Sequence, residues 1–341
     1  MTDSLISLGA QLTRITLPMI IIMGVVGNSL NIAVLLRPVF YSHACSRYLL
    51  AASINSVIYS SVVLIYQLLV TGYQLDPSTI SVMICKVMTY VFHVTAYISP
   101  YNIVFASMER YFSSSTSVYL RNFSSIRISR WIIGCIVGFF VLFGINTFVL
   151  ITANPNDGLG CQIPDGKIYN QIYVVTQAML YAIIAPFLMG LFGYLTMRNL
   201  KQVRVTPVVV SKHRRTERQL IRMLLLQVSI YIMLNLPVGV TYLSAVLPVS
   251  YKTTPLFFLV ADITEILTYA SNSSSFIIYM IGNRCYREEL MVILRTLFRM
   301  KQPVNNRIGT QSTTTKRENF KTIAIIASMR VNNPVQQTYA Q

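Results

Sequence analysis

Charge is scarce in this chain. Only 11% of its 341 residues are Asp, Glu, Lys or Arg, against about 25% in ordinary soluble domains. Acids are scarcer still, with 11 Asp and Glu facing 28 Lys and Arg. That shortage argues against the roughly two or three soluble domains this length would otherwise allow. Histidine is sparse too. His43, His93 and His213 sit at different levels, with no HExxH stretch and no paired acids midway along an apolar run. No catalytic constellation, metal centre or cofactor is therefore expected, and the chain does not read as an enzyme. No internal repeat is visible, which disfavours a polytopic transporter built from paired, interrupted helices.

What the chain has in abundance is apolar length. Hydrophobic residues make up 54% of it, and its mean hydropathy is +0.55. A helix crosses the hydrocarbon core with about 20 mostly apolar residues. Seven runs meet that length: Leu17–Leu36, Tyr48–Thr71, Ile84–Ala106, Trp131–Ile151, Ile172–Met197, Leu220–Leu247 and Pro255–Ile281. The expected fold is an all-α membrane protein with a seven-transmembrane helix bundle. Placing the amino terminus outside puts 24 of the 28 Lys and Arg on the inner side, leaving Arg14, Lys86, Lys167 and Lys252 outside. The positive-inside rule thus orients the chain, and the basic excess reports topology rather than nucleic-acid binding.

The expected organisation is a short extracellular amino terminus (1–16), the bundle (17–281), an amphipathic eighth helix on the inner surface (283–300) and a disordered cytoplasmic tail (301–341). In the eighth helix Tyr286, Leu290, Ile293 and Leu297 fall on one face between basic residues, the pattern of a helix lying on lipid. The first run is read as a retained span rather than a signal peptide, because Arg37 and Arg47 follow it. Arg215, Arg218 and Arg222 share one face of an inward extension of the sixth run. They suit either anionic lipid or a cytosolic partner. Of five cysteines, only Cys85 and Cys161 face outside by this topology. A disulfide between them is expected, two free thiols being the alternative.

The third run ends in VFASMERYFSSS, Val104–Ser115, where Glu109, Arg110 and Tyr111 stand together. From Cys85 to Arg110 is about 37 Å of helix, enough to set them at opposite rims. Glu217 precedes Pro237 on the sixth run by about 30 Å, so it lies at the depth of Arg110. A charge near the membrane edge needs such partners.

Gly27-Asn28, Cys85, Glu109-Arg110-Tyr111, Trp131, Cys161, Pro186, Pro237 and Phe276–Tyr279 occur in this order. With them, across roughly residues 17–300, the chain resembles rhodopsin-like (class A) G protein-coupled receptors. The resemblance implies a plasma-membrane receptor that binds an extracellular ligand and activates a heterotrimeric G protein. Arg110 would be its switch, held at rest by Glu109 and Glu217 and approached by Tyr194 and Tyr279 on activation. The Thr310–Thr315 cluster in the tail could take phosphate from a receptor kinase and recruit arrestin.

The chain also departs from the family. Asn55 stands where the second helix normally has an acid, and Asn28, Asn55, Ser99, Asn272 and Ser275 are expected to form a neutral polar cluster. Asn235 replaces the usual aromatic near Pro237, and Ser275-Phe276 replaces Asn-Pro in the seventh helix. For the ligand, Asp262, Glu265 and Tyr269 form one helical stripe on the seventh run, and Phe92, His93 and Tyr242 lie at similar depth. Glu265 is expected to pair with a cationic group, since acids within a span usually face the interior. Phe92 stands where amine receptors have an acid, and the seventh run lacks the lysine of opsins. A small peptide or other basic ligand is the leading expectation, and a chemosensory receptor for a small molecule is the alternative.

Overall fold

The computed structural model describes residues 2–77, 81–150, 152–153, 161–162, 172, 175–203, 212–244 and 254–297. It divides into a first unit, Met1–Ile293, and a second, Leu294–Gln341, of which only the residues to 297 are described. Nearly all described residues are helical. The long helices are α1 (Thr2–Leu35), α3 (Val82–Ser114), α4 (Ile126–Leu150) and α6 (Lys212–Ser244), with α2 (Ala44–Gly72) and α5 (Val175–Lys201). The seventh segment is divided into α7 (Pro255–Ser273) and α8 (Ser275–Gly282), so the amphipathic segment is α9 (Arg284–Leu297). A two-residue ladder joins β1 (Thr152–Ala153) to β2 (Cys161–Gln162), antiparallel, with Ala153 opposite Cys161. The rest of the outer loop after α4, and the tail, lie outside the described residues.

Among the described residues six helices, α1 to α6, are long and apolar enough to cross a membrane. The seventh expected run differs because Asp262, Glu265 and a serine-rich stretch dilute it, and Ser274 interrupts it. Ser274 takes φ −73° and ψ −14°, and its Oγ donates to the Ser271 carbonyl at 2.8 Å. A hydroxyl that bonds back to its own helix competes with the backbone ladder, so the serine run divides this segment without a proline. α1 continues helically back to Thr2, through the residues expected to form the amino-terminal segment.

Local chemistry shapes the ends and bends. Ser81 caps α3 by accepting from the Met83 N–H at 3.3 Å. Asn283 caps α9 by accepting from the Tyr286 N–H at 3.1 Å. Two π-type stretches widen α2 at Tyr59–Val63 and Leu68–Gly72, and a third widens α5 at Met179–Ile184, just before Pro186. Proline has no N–H to continue the ladder, and a widened turn absorbs the mismatch.

Among the described residues, two apolar clusters join the helices. Val94, Tyr97, Ile98, Ile136, Phe140, Tyr181 and Val238 join α3 to α4, α5 and α6. Leu17, Ile20, Tyr59, Val63, Leu64 and Tyr269 join α1, α2 and α7. α1 packs closely because Gly24 faces Ser60 and Ser273, and a Cβ at Gly27 would come within 2.8 Å of Phe276. Small residues permit such approach where helices meet in lipid. Large apolar side chains such as Met19, Leu142, Phe187 and Met233 point outward and exposed, the surface a lipid solvent requires. Trp131, one of the residues carrying the sequence resemblance, is 73% exposed on that surface rather than packed between helices.

Candidate functional site

Three layers of polar chemistry lie within the first unit. The outermost is a cavity of about 150 Å3. Phe92, His93, Tyr242, Glu265 and Tyr269, the five residues assigned to a ligand from the sequence, all line it. The structure adds Tyr59, Tyr97, Gln177, Tyr181 and Thr268. Tyr59 and Tyr181 stand on the π-type turns. Across such turns the side-chain register departs from a period of 3.6, so their facing does not follow a regular helical stripe.

Glu265 is the only carboxylate among the described lining residues, and no Lys or Arg joins it. Its Oε2 accepts from the Tyr269 hydroxyl at 2.9 Å. Nδ1 of His93 lies 2.7 Å from the Thr89 carbonyl, which can only accept, so Nδ1 carries the proton. Asp262 lines a separate small recess with Thr13, Leu17, Gln67 and Thr71, and Glu265 and Tyr269 reach it too. Aromatic faces attract a cation, and a carboxylate withdrawn from water calls for a positive partner. The arrangement therefore suits a positively charged guest.

The middle layer is neutral. Asn55 Nδ2 donates to the Thr95 carbonyl at 2.7 Å and to Ser99 Oγ at 2.8 Å, joining α2 to α3. Ser275 Oγ donates to Asn28 Oδ1 at 2.8 Å, joining α8 to α1. Asn272 bonds back along its own helix to the Thr268 carbonyl at 3.4 Å. The five expected cluster members thus form two cross-helix groups and one self-bonded residue. Asn28, Ser99, Asn272 and Ser275 share the wall of a cavity of about 20 Å3, room for about one water molecule. Reading the sequence missed Asn31, which donates to Ser275 at 3.1 Å and accepts from the Tyr286 hydroxyl at 2.6 Å.

Asn235 bridges the upper two layers. The Tyr181 hydroxyl donates to its Oδ1 at 2.9 Å, and its Nδ2 donates to Ser271 Oγ at 3.0 Å. Tyr181 lines the outer cavity and Ser271 the inner one. From the sequence Asn235 was only a departure; here it ties α5, α6 and α7 together.

The innermost layer carries charge. Arg110 Nε donates to Glu109 Oε2 at 2.7 Å, with both side chains almost fully buried. Ser124 donates to the other carboxylate oxygen at 2.5 Å. Glu217, half-buried at the start of α6, adds its charge to the field on Arg110. The Cys45 thiol is fully buried beside this pair. Tyr111 packs on Phe112 and Phe192, with ring centroids 5.7 and 6.1 Å away. The Tyr279 hydroxyl donates to Gln227 Oε1 at 2.9 Å, and Tyr194 is 60% exposed. The structure thus joins Glu109 to Arg110 directly, keeps Glu217 within electrostatic range of the pair, and engages Tyr111 and Tyr279 with other partners.

Cys85 is disulfide-bonded, and Cys45, Cys135 and Cys285 are free. The side chain of Cys161, its expected partner, lies outside the described residues, as do the side chain of Arg215 and the Thr310–Thr315 cluster.

The family profile described as 7 transmembrane receptor (rhodopsin family) matches residues 27–279. A comparison with curated proteins finds no match.

Proposed function

The chain belongs to the rhodopsin family of seven-transmembrane receptors, and from that premise we propose that it binds a small cationic ligand in the outer cavity and activates a heterotrimeric G protein at its inner end. The observation that carries the ligand half is the cavity itself, with one half-buried carboxylate, Glu265, in a wall of tyrosines. Sites for drug-sized ligands usually enclose about 300–1,000 Å3. A cavity of about 150 Å3 favours a small molecule over a peptide, and so favours the chemosensory alternative. The inner half rests on the buried Glu109–Arg110 pair, with Glu217 adding its charge to the field on Arg110.

On this reading the amino terminus is extracellular, the protein spans the plasma membrane, and α7 with α8 forms the seventh crossing. α9 lies on the inner leaflet, which its buried face of Tyr286 and Leu290 suits. A Cys85–Cys161 bridge pins the outer loop to α3. Receptor kinase and arrestin act through the tail.

The test is nucleotide exchange on a panel of G proteins in membranes carrying wild type, Glu217→Ala or Arg110→Ala. Exchange that rises in Glu217→Ala and falls in Arg110→Ala is expected. No change in either, with all proteins folded at the surface, rules out the Arg110 switch. For the ligand half, Glu265→Gln should weaken amine binding more than about tenfold, and equal binding removes the pairing.

A further inference from the structure

The cavity holds a second polar feature that a cation alone does not use. Gln177, on α5 four residues before the π-turn residue Tyr181, lines the cavity. Its Nε2 is buried and has no hydrogen-bond partner. Of the buried side-chain polar atoms on the described lining residues, this is the one without a partner. Its neighbours are engaged: Tyr181 donates to Asn235, Tyr269 to Glu265, and Thr268 to the Thr264 carbonyl. A buried amide donor left unpaired is unfavourable, and native interiors rarely tolerate one.

We infer that the ligand of this cavity is a compact monocation bearing a separate neutral hydrogen-bond acceptor, a carbonyl, ether or hydroxyl oxygen, which Gln177 binds while Glu265 takes the charge. This rests on the ligand-binding reading of the cavity proposed above. The acceptor is neutral because Glu265 occupies the same small, apolar space, and a carboxylate brought beside it would add a like charge that little water screens. Gln177 comes from α5 and Glu265 from α7, so the two groups contact different parts of the ligand. Simple alkylamines satisfy Glu265 and leave Gln177 unpaired. Amino acids satisfy Gln177 and repel Glu265.

The experiment uses the purified full-length receptor and four fragment sets small enough for the cavity. These are arylalkylamines without oxygen, the same amines bearing one ether or ketone oxygen, the same amines bearing a carboxylate, and the ethers and ketones without the amine. Affinities are measured on wild type, the near-isosteric Gln177→Met and Glu265→Gln. In wild type the oxygen-bearing amines should bind roughly three- to tenfold more tightly than their oxygen-free analogues, and the other two sets should bind more weakly than either. Gln177→Met should abolish the advantage of the oxygen while leaving the oxygen-free amines unchanged. Ligand-free Gln177→Met should unfold at the same or a higher temperature than wild type, because no native bond is removed. The inference fails if oxygen confers no gain, if the gain survives Gln177→Met, or if the ligand-free variant is less stable. Failure of the underlying reading looks different: Glu265→Gln leaves amine binding intact. Absence of amine binding to wild type overturns both.

Discussion

The inner end and the middle of this receptor solve the problem of buried polarity in different ways. At the inner end the strong interaction is local. Glu109 and Arg110 are neighbours on one helix, and Ser124, in the connection to α4, supplies the only other hydrogen bond given to the carboxylate among the described residues. In the middle, charge is absent and the bonds cross between helices: α2 to α3 through Asn55 and Ser99, α1 to α8 through Asn28 and Ser275, and α5 to α6 to α7 through Asn235. α6 has further ties near its inner half. Gln227 accepts from Tyr279, and Gln219 accepts from the Cys285 N–H at 2.9 Å. The charged layer therefore holds an arginine, whereas the neutral layer holds helices. Any movement of α6 relative to α5, α7 and α8 must therefore break neutral bonds.

The largest effect that separates the layers should come from Glu109→Ala. It leaves the Arg110 guanidinium buried without its ion-pair partner, and breaking a buried pair in this way costs about 3–5 kcal/mol. Thermal unfolding of the purified protein measures the loss, and G protein nucleotide exchange without ligand should rise with it. Because Glu109 touches Arg110 directly, its effect should exceed that of Glu217→Ala. The reverse order would place the clasp between α3 and α6 instead.

Next comes Asn235→Leu in the neutral layer. It strands the Tyr181 and Ser271 hydroxyls together, a loss of about 2–4 kcal/mol at roughly 1–2 kcal/mol each. If Asn235 carries the ligand signal from cavity to core, Asn235→Leu also lowers the maximal response to a bound amine more than it lowers its affinity. A pure loss of affinity would reduce Asn235 to a packing residue. Tyr279→Phe removes one bond to Gln227 with little change of shape, so about 1 kcal/mol is expected. Its exchange readout shows whether α6 is restrained at that level.

How far these layers could be read in advance follows from local geometry. Glu265 and Tyr269 fall on one regular helical stripe, and Glu109 and Arg110 sit at a helix end whose depth the span length sets. Their placement was legible for that reason. Tyr59, Tyr181 and Gln177 were not, because the π-type turns of α2 and α5 shift the side-chain register. The division at Ser274 is only partly legible in a run of three serines, because whether a hydroxyl that bonds back to its own helix disturbs it depends on what packs around it. Asn31 and Tyr286 meet from positions 255 residues apart, a pairing no local pattern encodes. The outward position of Trp131 suits an aromatic at the membrane interface.

The smallest expected effect sharpens the contrast most. The inner cavity of the neutral layer is lined by Asn28, Ser99, Asn272, Ser275 and their neighbours, with no carboxylate among the described lining residues. Sodium is a hard cation that favours charged oxygen ligands, and here only amides and hydroxyls are offered. Exchanging sodium chloride for potassium chloride at constant ionic strength should therefore leave the unfolding temperature of the ligand-free receptor unchanged. Asn55→Asp puts a carboxylate within hydrogen-bonding reach of Ser99, at the position now bonded at 2.8 Å. If neutrality alone denies the ion a site, this variant should gain a sodium-specific rise in unfolding temperature that grows with concentration, as linkage requires for a ligand that binds only the folded state. A sodium effect already present in wild type would mean that hydroxyls and amides suffice, and the distinction between a charged inner end and a neutral core would lose its functional meaning. Insensitivity in both would trace the missing site to the cavity's size, about 20 Å3, rather than to its charge.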